Sequence, residues 1–148
     1  MSVHQLCQLI DHQHREDYMK TISPIILELE EAQVKAFNDG DLDKIMDFFY
    51  PDIVGFSSTK HERISGLQAM RQTFEYYLSE ADKIDYSIKE PTVQVFGDAA
   101  IITFYWTVII HAKKSENKVE GRGSHVYAKI DGDWKLVHEH FSRAHHHV

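Results

Sequence analysis

The chain of 148 residues is 43% hydrophobic and 11% aromatic, which is enough for one domain with a buried core. Its formal net charge of −7 argues against nucleic acid, phosphate-rich partners and anionic membranes, all of which favour basic surfaces. The single cysteine, Cys7, excludes an intramolecular disulfide, and the longest apolar run, Ala99–Ile110, is too short for a membrane helix. The N-terminus lacks the pattern of a signal peptide, so we expect a cytoplasmic protein.

The first part of the chain predicts helices. Apolar residues at helical spacing within residues 1–22 predict a short amphipathic helix in an N-terminal extension. Ser23-Pro24 combines a serine N-cap with a proline at the first helical position, and so predicts that a separate helix begins there. Asn38-Asp39-Gly40 ends that helix, because glycine suits the left-handed position that follows a helix. Asp41 is the predicted N-cap of the next helix, Leu42–Phe49.

The middle of the chain alternates between strand and helix patterns. Ile53–Thr59 is typical of a strand, and a hairpin return through Glu62–Ser65 is expected. The apolar spacing of Leu67–Ala81 predicts a helix. Tyr86–Phe96 is the next predicted strand, and Pro91 places a bulge or an edge position within it.

The last part of the chain predicts an antiparallel meander. Ala99–Ala112 is a long strand that is apolar on both faces, so both faces are expected to be covered. A charged connection, Lys113–Lys118, leads to a hairpin in Gly121–Ser142 whose turn is Asp131-Gly132. Helices followed by antiparallel strands predict an α+β fold, in which a curved sheet wraps around three helices and leaves a pocket at its open end. The second apolar face of Ala99–Ala112 predicts a homodimer through the sheet.

The length of the hairpin turn decides which side chains face the pocket. A two-residue turn places His125 opposite His138, with His140 on the same face. A three-residue loop with a glycine bulge places His125 opposite Val137 instead. In the second arrangement, one face carries His125, Tyr127, Glu139 and Phe141, and the other carries Trp134, Leu136, His138 and His140.

Three segments resemble one family of proteins. They read NDGDLDKIMDFFYPDIVGFSS, ISGLQAMRQTFEYYL and GRGSHVYAKIDGDWKLVHEHFS. They resemble the nuclear transport factor 2-like cone fold, in its SnoaL-like and ketosteroid-isomerase-homologue branch, and are similar to the association domain of calcium/calmodulin-dependent kinase II. The most specific part is Asp-Gly-x-Trp followed by Val-His-x-His-x-Ser at residues 131–142. The resemblance implies a cone domain at residues 23–143, between the extension at residues 1–22 and a disordered tail at residues 144–148.

The resemblance also implies where a pocket lies. Pocket arginines of the kinase association domain fall on Tyr105, His125 and Phe141, so a pocket is implied without its anion-binding groups. The pocket histidine of that domain falls on Met70, and its tryptophan on Leu78. The resemblance also makes us favour the three-residue loop in the hairpin, because that loop places His125 and Phe141 on the same face.

Ketosteroid isomerase provides a second comparison. The position of its aspartate base is nearest to Ser57, and its oxyanion-hole acid falls approximately on His125. Isomerisation by that arrangement is therefore not implied for this chain.

The hairpin and the resemblance together define the candidate site. His125 is the candidate general acid or base, and Tyr105 or Tyr127 would polarise the substrate. Glu139 could act as an acid or base if it faces inward and is desolvated. The predicted pocket residues are Phe56, Met70, Phe74, Leu78, Tyr105, His125, Tyr127, Glu139 and Phe141.

We expect neither a metal nor another cofactor. His138 and His140 lie two apart on a strand and could face the same side, but a third ligand would have to come from elsewhere by chance. The predicted function is binding of a small apolar or semi-polar molecule by a SnoaL-like homodimer without defined chemistry. The alternative is a small enzyme of the isomerase, lyase or hydrolase type that uses His125 with Tyr105 or Tyr127.

Overall fold

The computed structural model describes residues 1–144, which form three helices and a curved six-stranded sheet. The elements in chain order are α1 (Val3–Asn38), α2 (Leu42–Asp47), β1 (Phe49–Phe56), β2 (Ile64–Ser65), α3 (Leu67–Ser79), β3 (Lys83–Phe96), β4 (Ala99–Ala112), β5 (Ser115–Ile130) and β6 (Asp133–Ser142). The strand order is β2-β1-β6-β5-β4-β3, and β1 and β6 are the parallel pair. The predicted α+β cone fold is confirmed. The predicted tail lies outside the described residues except for Ala144.

The prediction of a separate helix beginning at Ser23-Pro24 is wrong. One helix of 36 residues begins after Ser2, whose side chain forms a capping box, and Pro24 lies inside it. An internal proline costs about 3 kcal/mol of helix stability because it removes a hydrogen bond and crowds the preceding turn. Ile22 and Ile26 are both buried on the core side of α1, and this packing on either side of Pro24 keeps the helix continuous.

Charged residues extend a strand beyond its predicted boundary at the β4–β5 connection, whereas β1 (Phe49–Phe56) begins and ends earlier than the predicted Ile53–Thr59. The predicted connection Lys113–Lys118 is wrong, because β4 and β5 pair as far as Ala112 and Ser115 with only a two-residue turn between them. Exposed charges do not prevent pairing, since the side chains can remain in water while the backbone groups form the ladder. The bulge predicted at Pro91 is confirmed by a shift of the β3–β4 register between Lys89 and Thr92.

The β5–β6 hairpin follows neither predicted register along its whole length. Its turn has two residues, with Ile130 opposite Asp133 and positive φ values of 51° at Asp131 and 87° at Gly132. A bulge then adds one residue on β6, at Val137, so that His125 lies opposite Glu139.

The predicted division of the β6 side chains into two faces is wrong for the residues before the bulge at Val137. Leu136 lies opposite Tyr127 and is fully buried, so it belongs to the inner face. Trp134, two residues earlier, also packs against the core. His138 and His140 keep the predicted outer face because the extra residue reverses the alternation between Leu136 and His138.

The core lies between the inner face of the sheet and the three helices. The even-numbered side chains of β4 point into it, and its buried members are Ala100, Ile102, Phe104 and Trp106. The helices contribute Ile26, Phe37, Ile45, Met70 and Phe74. Residues 1–17 of the chain are exposed, and Tyr18 is the first side chain of α1 that packs against the core. No helix within residues 1–144 is both long enough and apolar enough to span a membrane.

Candidate functional site

A cavity of about 250 Å³ lies between the inner face of the sheet and the helices α1 and α3. Most of its wall is aromatic or aliphatic, from Phe37, Phe74, Tyr76, Tyr77, Ile84, Tyr86, Trp106, Val108, Ile110, Val119 and Phe141. Buried polar side chains of the wall are Gln33, Ser57, His125 and Glu139. Thr59, Glu80 and Arg143 are exposed lining residues and mark its opening to solvent. The cavity therefore combines an apolar body with a small polar region.

The polar region is built around His125 on β5. Its Nδ1 lies 2.8 and 2.9 Å from the two carboxylate oxygens of Glu30 on α1. Its Nε2 lies 3.1 Å from Oε2 of Glu139, which is directly opposite on β6. All three side chains are buried, with His125 only 1% exposed. We refer to Glu30, His125 and Glu139 as the carboxylate–histidine array.

The two carboxylates hold His125 in its charged form. Burial by itself lowers the pKa of an imidazole, because it disfavours the charge. The charge of Glu30 and the hydrogen bonds that both carboxylates accept from the ring exceed that effect and raise the pKa of His125 from 6.5 to about 10. At neutral pH both ring nitrogens therefore carry protons. Their N–H groups donate hydrogen bonds to Glu30 and Glu139.

Two tyrosines lie within the electrostatic influence of the array, and one of them bonds to it. The hydroxyl of Tyr127 donates to Oε2 of Glu30 at 2.7 Å. Burial and the charge of Glu30 raise the pKa of Tyr127 well above its ordinary value. Burial and the charges of Glu30 and Glu139 also raise the pKa of Tyr86, which lines the cavity. Both phenols are therefore neutral, and the negative potential of the carboxylates reaches the cavity wall.

Glycines on the inner face leave room for the aromatic wall. A Cβ atom at Gly123 would lie 2.7 Å from the ring of Phe104 and 3.4 Å from that of Phe141. A Cβ atom at Gly121 would meet the ring of Trp106, whose Nε1 donates to the carbonyl of Arg122 at 3.0 Å. The glycines of the Gly121–Gly123 segment thus allow aromatic side chains to cross β5 toward the cavity.

The comparison with known families identifies the family of the chain. Residues 26–146 match the family model of the SnoaL-like domain. The chain belongs to the SnoaL-like domain family. No curated protein matches the sequence of this SnoaL-like domain.

Solved structures share the fold of this SnoaL-like domain. The calcium/calmodulin-dependent kinase II hub of S. rosetta is 28% identical, with a TM-score of 0.69 over 80% of this chain and 94% of that one. A nuclear transport factor 2-like superfamily protein from Salmonella enterica is 22% identical, with a TM-score of 0.77 over 87% and 96% of the two chains. The association domain of the same kinase from C. elegans is 19% identical, with a TM-score of 0.72 over 85% and 98%.

The structure brings together four of the predicted pocket residues of the SnoaL-like domain. Phe74, His125, Glu139 and Phe141 all line the cavity. The bulge at Val137 places Glu139 and Phe141 on the same face as His125, although the turn has two residues. A three-residue loop was expected to place these side chains on one face, and the bulge at Val137 places them there instead.

Five predicted site residues do not line the cavity. Tyr105 is 52% exposed on the outer face of the sheet, because its neighbours Phe104 and Trp106 on β4 point inward. Phe56 pairs with His140 on the outer side and packs against its ring. Tyr127 is fully buried and contacts Glu30, beyond the cavity wall.

The other two lie on α3 and were expected from the resemblance. Met70 is fully buried in the core, and Leu78 packs against the core while the neighbouring Tyr77 faces the cavity. The resemblance alone assigned these two positions, and successive side chains on a helix point about 100° apart, so an offset of one residue is enough to move a side chain out of the cavity.

Sequence reasoning did not assign Glu30, Gln33, Tyr86 or Trp106 to the site. The available signal was on α1, where Glu30 and Gln33 fall on the same helical stripe as Ile26 and Phe37. Charged side chains are rarely fully buried unless they are paired, so a glutamate on such a stripe indicates a buried partner. The identity of that partner could not be read from the local pattern.

The two outer-face histidines show no metal-site geometry. Nδ1 of His138 lies 2.8 Å from the carbonyl oxygen of Val54, and the ring of His140 packs against Phe56. Within residues 1–144, no group of three or more histidine, cysteine, aspartate or glutamate side chains is arranged to hold a metal ion.

Proposed function

We propose that this SnoaL-like domain binds a small, largely apolar molecule that donates a hydrogen bond to the carboxylate of Glu139. The observation that carries the proposal is the position of Glu139, which lines an aromatic cavity and is only 4% exposed. His125 bonds to Oε2 of this carboxylate, which leaves acceptor capacity for a ligand. A buried carboxylate of this kind fixes the polar end of a ligand, while the aromatic wall covers its apolar body.

Binding can be tested by calorimetry with a panel of apolar fragments and a variant that fills the cavity. Val119→Phe places a ring in the space that a ligand would occupy, because Val119 lines the cavity from β5. Lys118→Phe is the matched control, since it adds the same ring at the exposed neighbouring position of the same strand. We expect fragment binding to be lost in the first variant and kept in the second. Equal binding by both variants would contradict the cavity as the site.

A proton-transfer enzyme is the second candidate, and the geometry favours Glu139 as its base. Both N–H groups of His125 donate hydrogen bonds to carboxylates, so neither ring nitrogen is free to interact with a substrate. Glu139 lines the cavity beside that imidazolium, where it could remove a proton from a bound carbon acid. Cyclohex-3-enone in D2O is a direct probe, because proton removal would lead to the conjugated isomer or to deuterium uptake. The absence of both above the buffer rate would reject this candidate for that substrate class.

We also propose that two copies associate through the outer face of the sheet. Tyr105 and Thr103 are exposed on β4, and Ile101 and Ile109 on the same face are only half-buried. A face with this apolar content is expected to be covered by a partner surface. Structures with the same fold include proteins described as a hub and as an association domain, which supports assembly as a use of this fold. Light scattering that shows a monomer at micromolar concentration would contradict this part of the proposal. Cytoplasmic location remains a prediction.

A further inference from the structure

We infer that the ligand is a small primary amine, bound as its ammonium ion, with its N–H groups directed at Glu139 and Gln33. The inference rests on the proposed function, because it specifies the ligand class of the same cavity. Three independent features of the structure support it: the balance of buried charge, the excess of hydrogen-bond acceptors, and the aromatic wall.

The array contains more acidic than basic side chains. Glu30 and Glu139 supply two carboxylates, whereas His125 supplies one imidazolium, so one negative charge remains in excess. The other cationic side chain among the described lining residues is Arg143, which is exposed. An unbalanced charge in a low-dielectric site is unfavourable, and an ammonium ion would neutralise it. A carboxylate ligand would increase the imbalance instead.

The polar end of the cavity offers acceptors, while the donors of His125 and Tyr127 are already engaged. Both N–H groups of His125 and the hydroxyl of Tyr127 donate to carboxylates of the array. Gln33 lines the cavity and is only 6% exposed, yet its Oε1 has no hydrogen-bond partner within residues 1–144. A buried acceptor without a donor is unfavourable, so a ligand that supplies N–H groups is favoured. A primary ammonium supplies three N–H donors from one atom.

The aromatic wall suits a cation near this polar end. Rings of Phe37 and Tyr86 pack against each other with centroids 5.3 Å apart, and those of Trp106 and Phe141 with centroids 6.0 Å apart. Aromatic faces attract cations through their quadrupole, and an apolar body on the amine would fill the remaining space. Burial is the main cause of the raised pKa of Tyr86, and the nearby charges of Glu30 and Glu139 add to it, which is consistent with a negative potential at this wall.

Three probes of nearly equal shape test the ligand class by calorimetry with the full chain at pH 7. The probes are 2-phenylethylamine, 2-phenylethanol and phenylacetate, which present an ammonium, a hydroxyl and a carboxylate on the same apolar body. We expect the amine to bind at least tenfold more tightly than the alcohol, and phenylacetate to show no detectable binding. Glu139→Gln should weaken amine binding at least tenfold and change alcohol binding little, while Gln33→Leu should weaken amine binding to a smaller extent. Melting curves establish that each variant is folded.

The outcomes separate this inference from the function on which it rests. If the alcohol or phenylacetate binds as tightly as the amine, or if amine binding is unchanged in Glu139→Gln, the ligand class is wrong while the cavity remains a binding site. If no probe binds but other apolar fragments bind and are excluded by Val119→Phe, the ligand class is again wrong. If no fragment of any class binds, the proposed function fails together with the inference.

Discussion

Nδ1 of His125 on β5 lies 2.9 Å from Oε2 of Glu30 on α1, although 95 residues separate them in the chain. The pair connects the long N-terminal helix to the centre of the sheet and lies beside the cavity. Because both side chains are buried, the pair is a structural link as well as the base of the polar region. Breaking it should therefore affect folding stability in ways that can be measured apart from ligand binding.

The stability of the domain should fall as the pH rises from about 6.5 to about 10. The pKa of His125 is raised from 6.5 to about 10 in the folded state, so the folded chain holds a proton that the unfolded chain releases above pH 6.5. The stabilisation from this proton is complete below pH 6.5 and is lost as the pH approaches 10. Urea unfolding at pH 6, 7, 8 and 9 measures the slope.

A variant without this histidine isolates its contribution to the pH dependence. His125→Gln should be less stable than the wild type at pH 6, and the difference should shrink toward pH 9. His61→Gln, at an exposed position, is the control and should leave the slope unchanged. Measurements stay below pH 10 because tyrosine ionisation in the unfolded state adds its own slope above that value. A constant difference across the range would contradict the raised pKa.

Glu30→Gln should lower the free energy of unfolding by about 3 kcal/mol or more, because it removes one member of a buried ion pair. The same change removes the charged acceptor of the Tyr127 hydroxyl. Glu31→Gln is the matched control, since Glu31 is the exposed neighbour on the same helix and should change stability little. Chemical denaturation at pH 7 compares the two variants. Equal effects would show that the pair is not a stabilising link.

Substitutions at Ser23 and Pro24 distinguish one continuous helix from two. Pro24→Ala should raise stability by about 1–3 kcal/mol, because alanine restores a helix hydrogen bond and removes the ring clash. Ser23→Ala should change stability by less than about 0.5 kcal/mol, since Ser23 is not an N-cap. If a helix began at Ser23, the alanine variant would lose about 1 kcal/mol and the proline change would not stabilise. Thermal and urea unfolding test both variants.

Gly123→Ala should destabilise the domain by about 1–3 kcal/mol through overpacking. The added Cβ atom would lie 2.7 and 2.9 Å from ring atoms of Phe104, so the ring must move. Gly132→Asn is the control at the hairpin turn, where nothing lies within 4 Å of a Cβ atom and asparagine tolerates a positive φ. Urea unfolding should show a smaller loss for the control. A neutral Gly123→Ala would mean that the aromatic wall adapts without cost.

Tyr105→Glu should dissociate the proposed homodimer, because it places a charge in the centre of the apolar outer face of β4. Tyr76→Glu is the comparison, since Tyr76 is similarly exposed but lies on α3. Light scattering at a series of protein concentrations measures the mass. Loss of the dimer in the α3 variant alone would place the contact elsewhere.

Part of the candidate site could be predicted from the hairpin sequence together with the family resemblance. His125, Glu139 and Phe141 were expected on one face, and all three line the cavity. The backbone geometry that puts them there differs from the prediction, because a two-residue turn followed by a bulge at Val137 replaces the expected three-residue loop. A bulge depends on how side chains of two strands pack on the core, so the local turn sequence does not reveal it. Tyr105 shows the opposite case, since a resemblance placed it in the pocket while strand alternation turns it outward.

The sequence by itself determined the type and order of the elements, because helical and strand periodicities and turn residues act over a few neighbours. Leu67–Ser79 and Ala99–Ala112 illustrate this, as does the bulge at Pro91. Only the tertiary structure decided that α1 continues through Pro24 and that Glu30 meets His125. Packing against distant strands overrides a local helix start, and the partner of a buried charge is chosen by the whole fold, so neither outcome is recorded in a short stretch of chain.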